Sequence, residues 1–220
     1  MTEAHEKQYN IAIQRLTMPS RFAKLRVNDQ GFPVPKFVQD VNGKPDFRVV
    51  NTTFLTLAIR HKLCWLCGEA LGRYQCFTIG PMCLINRVSS EPPSHKECAE
   101  FAVRACPFMV NPQRGRNTHD LPGNAQDPAG FMIDRNPGVT LLWVTESYRT
   151  FKAEGGILIR IGDPVSTQWF ARGREATREE ILESIRTGLP ALQQLAAQQG
   201  ADAMEALEKE VERGLSLVPP

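Results

Sequence analysis

At 220 residues, with 42% hydrophobic and 23% charged residues and a net charge of +2, the chain has an ordinary globular composition and can bury a core without crosslinks. Wholesale disorder and fibrous designs are excluded. No stretch approaches the ~18 apolar residues of a membrane helix, and the acid-bearing start "MTEAHEKQYNIAIQRL" lacks the apolar run of a secretory signal, so the expected compartment is the cytoplasm.

Charge is uneven along the chain. Residues 1–63 carry ten bases and five acids, 64–140 seven of each, and 141–220 nine bases and twelve acids, so the front is the candidate face for a polyanion.

Residues 4–17 are expected to form a short helix with Ile11, Ile13 and Leu16 buried, ended by Pro19. "KFVQDVNGKPDFRVV" reads as a β-hairpin, because Asn42-Gly43 is a turn pair that tolerates positive φ between two runs of β-formers. Asn51 or Thr52 then caps a helix to about Lys62 with Phe54, Leu57 and Ala58 facing inward.

All six cysteines follow, between Cys64 and Cys106. In a reducing compartment such a cluster points to metal ligands or catalytic thiols, and spacing decides between them. Cys64-x-x-Cys67-Gly68 is a zinc-knuckle pattern, since two intervening residues let a tight turn present both sulfurs to one tetrahedral ion, and the glycine lets the chain reverse beneath it. In "EPPSHKECAEFAVRAC", Ser94 is a natural N-cap after two prolines, which starts a helix at about His95 and sets His95 and Cys98 on one face of its first turn. The predicted ligands of a Zn2+ ion are therefore Cys64, Cys67, His95 and Cys98, with Cys83 or Cys106 as substitutes for His95. Cys76 lies among β-formers and reads as core, and Cys106 as a small buried hydrophobe. Four protein ligands close the site to water, so the metal is expected to be structural.

Between the two ligand pairs, "GRYQCFTIG" and a following stretch can form a hairpin. The resulting order of knuckle, hairpin and helix over residues 64–106 resembles the treble-clef zinc finger, a metal-binding module that serves many functions. Treble-clef nucleases of the HNH type need a histidine in the hairpin, and "GEALGRYQCFTIGPMCLINR" has none. The same run also resembles a stretch of bacterial or phage-borne proteins, which assigns no residue role. Within "GPMCLINR", Cys83 beside Arg87 is a candidate nucleophile. The plainer reading packs Cys83, ties a loop with Asn86 and pairs Arg87 with Glu91 or a phosphate.

Residues 111–130, rich in glycine and proline and poor in apolar side chains, read as a loop; its Arg114, Arg116 and His119 are candidate ligand contacts. Strands are expected at 138–147, 155–162 and 166–171. Ile157, Ile159 and Ile161 alternate with Leu158 and Arg160, as in an antiparallel sheet covered on one side, and Asp163-Pro164 links the last two strands. Thr177 and Glu180 form a capping box ahead of Ile181, Leu182 and Ile185. Gly188 and Pro190 are expected to stop that helix and start another, and Met204, Leu207, Val211 and Leu215 form a helical stripe after Gly200.

The chain is thus expected to be α+β: an N-terminal helix-and-hairpin region (1–63), a small treble-clef-like zinc module (64–110), a linker (111–137), and an antiparallel sheet packed with C-terminal helices (138–220). It lacks the P-loop, GxGxxG, HExxH and GxSxG patterns. The expected function is zinc-stabilised, non-enzymatic binding of nucleic acid, with Lys24, Arg26, Arg60, Lys62, Arg73 and Arg87 as phosphate contacts. The alternatives are an accessory factor that meets a protein partner through the C-terminal stripe, and an enzyme using Cys83, Arg87, His119 or Asp163.

Overall fold

The computed structural model describes residues 7–115, 119, 121–122, 129–130, 133 and 135–220, which leaves Arg116 outside. The chain is a mixed α+β fold with antiparallel sheets.

The N-terminal stretch is held by turns and not by the expected helix. Asn10 redirects it: its side-chain oxygen accepts from the Ala12 amide at 3.0 Å, and its own amide donates to the Gly31 carbonyl at 2.9 Å. The bonds that follow are three residues apart, with the Ile13 amide donating to Asn10 and the Leu16 amide to Ile13. So short a segment does not hold a helix without packing along a whole face. Ile13 is buried as expected, but Ile11 is 82% exposed. A 3-10 turn at Ser20–Lys24 then buries Phe22.

β1 (Val38–Val41) and β2 (Lys44–Val50) form the expected hairpin, closed by Asn42 and Gly43 at φ 51° and 79°. Asn51 caps α1 (Thr52–His61) by accepting from the Phe54 amide at 2.9 Å. Ala58 is buried, whereas Leu57 is 42% exposed, because the contact line of α1 runs through Phe54 and Ala58 and leaves Leu57 at its margin.

The next strand corrects the expected hairpin. β3 (Gln75–Ile79) pairs along its whole length with β5 (Thr140–Thr145), from Gln75 opposite Thr145 to Ile79 opposite Leu141. The stretch after β3 is helical, since Pro81 sits at the first position of α2 (Pro81–Asn86), where its missing amide and fixed φ favour a helix start. β4 (Val88–Ser89) follows, and among the described residues β3 meets the segment before His95 at one bridge, between Cys76 and Ser94, in place of the expected hairpin. Next come α3 (Lys96–Ala105) and α4 (Pro107–Val110).

Two further sheets are completed by β6 (Tyr148–Ala153), β7 (Gly156–Ile161), β8 (Pro164–Ala171) and β9 (Arg174–Glu175), in the orders β3-β5-β8-β9 and β4-β7-β6. β6 is absent from the sequence reading because its residues are largely exposed and carry no alternation. Ile159 and Ile161 are buried as expected, but Ile157 is 42% exposed at the end of the β6-β7 hairpin.

The four-stranded sheet is covered on both sides. Phe77, Ile79, Leu141, Trp143 and Trp169 pack with α2 and with α5 (Arg178–Gln199), while Cys76, Leu142, Val144 and Phe170 pack with Ala99 and Val103 of α3. β5 is therefore apolar at nearly every position, as a strand buried on two faces must be.

The capping box at Thr177 and Glu180 is formed. Gly188 and Pro190 do not end the helix: α5 runs through both for 22 residues before α6 (Ala201–Leu215). Gly188 lies where a Cβ would meet Met82 at 3.0 Å and crowd the Arg135 guanidinium. Packing of Ile181, Ile185, Leu189 and Leu192 on the core offsets the single hydrogen bond that Pro190 removes. Leu207 and Val211 of the C-terminal stripe pack on this same core. Among the described residues no helix is long and apolar enough to cross a membrane.

Candidate metal centre

The knuckle is shaped by its backbone. The Cys64 amide donates to the Glu69 carbonyl at 2.8 Å, the Gly68 amide returns to the Cys64 carbonyl at 2.9 Å, and Leu63 bridges Ala70. Gly68 has φ 79°, and a Cβ there would meet the Lys36 side chain at 2.9 Å, so both conformation and space call for glycine. Trp65 wedges the turn into the molecule, its ring stacked between Phe37 at 5.0 Å and Phe54 at 5.8 Å.

The other pair comes from the start of α3. Ser94 is the expected cap, but it is extended and paired with Cys76, so the N-cap is His95, one residue later. No side chain caps the helix at this position; the His95 ring is directed to the cysteines instead. His95 and Cys98 remain on its first turn.

The sulfurs of Cys64, Cys67 and Cys98 and a ring nitrogen of His95 all lie within 4.8 Å of one another. His95 Nδ1 is 3.4 Å from Cys67 Sγ and 3.9 Å from Cys98 Sγ. A tetrahedral ion with Zn–S bonds of about 2.3 Å places its ligand atoms about 3.5–3.8 Å apart, close to the two His95–sulfur distances, and all four donors lie near enough together that they could hold one ion. The opposite ring nitrogen, Nε2, is 3.1 Å from the Ala70 carbonyl. With Nε2–H donating there, Nδ1 is left as the ligand atom, the outer-sphere arrangement typical of metal-bound histidine. The amides of Cys67 and His95 each donate to Cys64 Sγ at 3.4 Å.

The thiols constrain one another. Hydrogen bonds from Cys67 and Cys98, followed by the two amides, hold Cys64 far below the ordinary thiol range. The contact with Cys64 pushes Cys67 up to about 11, and contacts with Cys64 and Cys67 push Cys98 higher still. Three thiolates so close together need a cation between them, and this donor set could hold a metal ion. The sequence identifies the four side chains but not Ala70 or the two amides, because backbone groups carry no residue signature.

The substitutes for His95 are not in the cluster. Cys83 packs against the sheet core, where burial and then the Glu91 charge push its thiol up to about 11. That is the reverse of what a nucleophile requires. Cys106 ends α3, and Cys76 is buried in the sheet with its thiol raised to about 12 by burial. Asn86 accepts from the Val88 amide at 2.9 Å, as a loop tie should. Arg87 pairs with Asp163 at 2.8 Å and not with Glu91.

The six expected phosphate contacts are distributed over several elements. Lys24 pairs with Glu69 at 2.6 Å, Arg73 with Glu146 at 2.9 Å, and Arg26 with Asp40. Arg60 and Lys62 are exposed at the end of α1, and among the described residues neither makes an ion pair. No protein-family model, curated protein or solved structure matches the chain.

Proposed function

We propose that this chain is a zinc-stabilised, non-enzymatic binding protein whose Zn2+ is structural. The observation that carries the reading is the donor set itself: three sulfurs and a ring nitrogen of His95 within 4.8 Å of one another, with Nε2 at 3.1 Å from the Ala70 carbonyl. Three thiolates and an imidazole favour zinc over calcium or magnesium, which take oxygen ligands. Four protein ligands leave no open position for water, so the ion supplies folding energy and not a nucleophile.

Elemental mass spectrometry on protein purified without added metal is the test, with thiols titrated on the same sample. The expected result is one zinc per chain, absent from Cys98→Ser. Metal-free, fully folded wild-type protein would sink the reading.

The partner in this reading is nucleic acid. What supports it is the basic excess of residues 1–63 together with Arg60 and Lys62, two exposed cations beside the knuckle that have no ion-pair partner among the described residues. Lys24, Arg26 and Arg73 are paired at the surface, where ion pairs are worth little and exchange readily for phosphate, whereas the largely buried Arg87 lies apart from them. Fluorescence anisotropy on short DNA and RNA at several salt concentrations checks it. Removing both Arg60 and Lys62 should weaken binding and reduce the salt slope by about 2. Absence of binding at low salt would discard nucleic acid and leave the zinc site standing.

A further inference from the structure

Away from the metal centre, a cleft of about 330 Å³ opens between the β6-β7 hairpin, the turn into β8 and α6. Its lining includes Arg87, Arg149, Arg160 and Arg213, against the two carboxylates Asp163 and Glu210, which leaves a net charge of +2.

The arginines are placed in a way that sheet stability does not explain. Arg149 and Arg160 are direct cross-strand partners in the β6-β7 register. Like charges opposite one another weaken a sheet, and a purely structural pair would set a carboxylate across from an arginine. Among the described residues neither makes an ion pair or a side-chain hydrogen bond. Arg87 reaches the cleft from the C-terminal end of α2, in left-handed backbone at φ 54°. Its guanidinium is fixed by Asp163 at 2.8 Å, by the Ile161 carbonyl at 3.3 Å and by the face of Trp143 at 5.5 Å. Its Nε is buried without a partner. Arg213 comes from α6, where it pairs with Glu210. Burial first, then the charges of Arg87 and Arg160, lower its proton affinity. Cations are thus held together by the fold, each from a different element; Arg87 and Arg213 have carboxylate partners, whereas the repulsion between Arg149 and Arg160 is left uncompensated among the described residues.

Guanidinium groups bind phosphate oxygens through paired, charge-assisted hydrogen bonds. The volume lies at the lower end for small-ligand sites, and a phosphate monoester carries between about −1.5 and −2 at neutral pH, close to what the lining leaves over. We propose that this cleft binds the phosphate-monoester dianion of a small phosphorylated ligand or of a nucleic-acid end. It depends on neither the zinc site nor nucleic-acid binding at α1.

The test is calorimetric titration of the full-length chain at low ionic strength with inorganic phosphate, glycerol phosphate, and a short oligonucleotide with and without a 5′-phosphate. Saturable binding is expected for inorganic phosphate and glycerol phosphate, and for the phosphorylated oligonucleotide an increment over the unphosphorylated one, which can reach only the cations at α1. Equal affinity for glycerol phosphate and the phosphorylated oligonucleotide assigns the site to small phosphate esters. A clear preference for the latter assigns it to nucleic-acid ends. The double variant Arg149→Gln and Arg160→Gln should bind at least tenfold more weakly, yet melt no lower than wild type without anion, because a repulsive pair is gone. Arg186→Gln, on the exposed face of α5, should bind as wild type. No saturable binding to wild type, undiminished binding to the double variant, or a lower melting temperature of that variant without anion would overturn the proposal.

Discussion

Of the three buried clusters among the described residues, two are built by different means. The sheet core gathers fourteen buried residues from β3, β5, β7, β8, α2, α5 and the C-terminal turn, among them Trp143, Phe77 and Trp169. The cluster around the metal donors has eight, and three of these, Cys64, Cys67 and Cys98, are the donors themselves. Its remaining members include Ile13, Phe22 and Leu25, supplied by turns that bury almost nothing else. A sheet spreads its stabilisation over many side chains, whereas a small cluster of turns relies on a few strong bonds. α3 joins the donor cluster to the opposite face of the sheet, with Cys98 and Phe101 on the donor side and Ala99 and Val103 in the third cluster with Cys76, Leu142, Val144 and Phe170. The edge-to-face contact of Phe22 with Phe101 at 5.1 Å carries the N-terminal turns onto that helix.

With zinc held by these donors as proposed, the largest test of this division is its removal. Structural zinc in finger peptides contributes about 10–16 kcal/mol of apparent binding energy, and that energy is folding energy. Chelation, or Cys98→Ser, should abolish amide-exchange protection at the Cys67, Gly68 and Leu25 amides while β3, β5 and β8 stay protected. Loss of protection at the Leu141 and Trp143 amides in the same step would show a single cooperative unit joined through α3.

The converse change comes next. Trp143 is 2% exposed and donates through its indole N–H to the Gly162 carbonyl at 3.0 Å. Trp143→Ala should therefore cost about 3–5 kcal/mol in denaturant unfolding, with the metal stoichiometry of the folded fraction unchanged. A fall in zinc content at equal folded fraction would mean that the sheet positions the donors, and the division would fail.

How much of this is legible in the sequence follows the range of the forces involved. Signals confined to a few residues carry through: Asn42-Gly43 makes the hairpin turn, Asn51 caps α1, Thr177 and Glu180 form their box, and Cys64-x-x-Cys67 with His95-x-x-Cys98 gathers its four donors. Signals that compete with distant contacts do not. Nothing local tells Gln75–Ile79 to choose Thr140–Thr145 over the adjacent stretch, and Pro190 reads as a helix stop until the face beneath it is known to be buried. The cap at His95 moved by one residue because Ser94 is drawn into a bridge with Cys76, a contact that depends on the folded sheet. The arginine cleft was hidden for the same reason: Arg160 is visible on the outer face of its strand, but Arg149 becomes its partner only once β6 exists.

The smallest effect isolates a local signal from both clusters. Thr177 accepts from the Glu180 amide at 3.3 Å, and the Glu180 carboxylate accepts from the Thr177 amide at 2.9 Å and from Arg174. Thr177→Ala should lower stability by about 1 kcal/mol, and by the same amount with and without chelator, since the cap touches neither core. The Arg174 hydrogen bond, foremost, holds the Glu180 carboxyl below its ordinary range. Because the folded value is the lower one, the contribution is present above the unfolded value of about 4.3 and fades as pH falls through the folded value. Glu180→Gln should therefore be less stable than wild type at pH 7, with the gap closing as the pH falls through the lowered folded value and the wild-type carboxyl is itself protonated. A gap that stayed constant with pH would mean that the pair with Arg174 contributes nothing, and that the box acts through Thr177 alone.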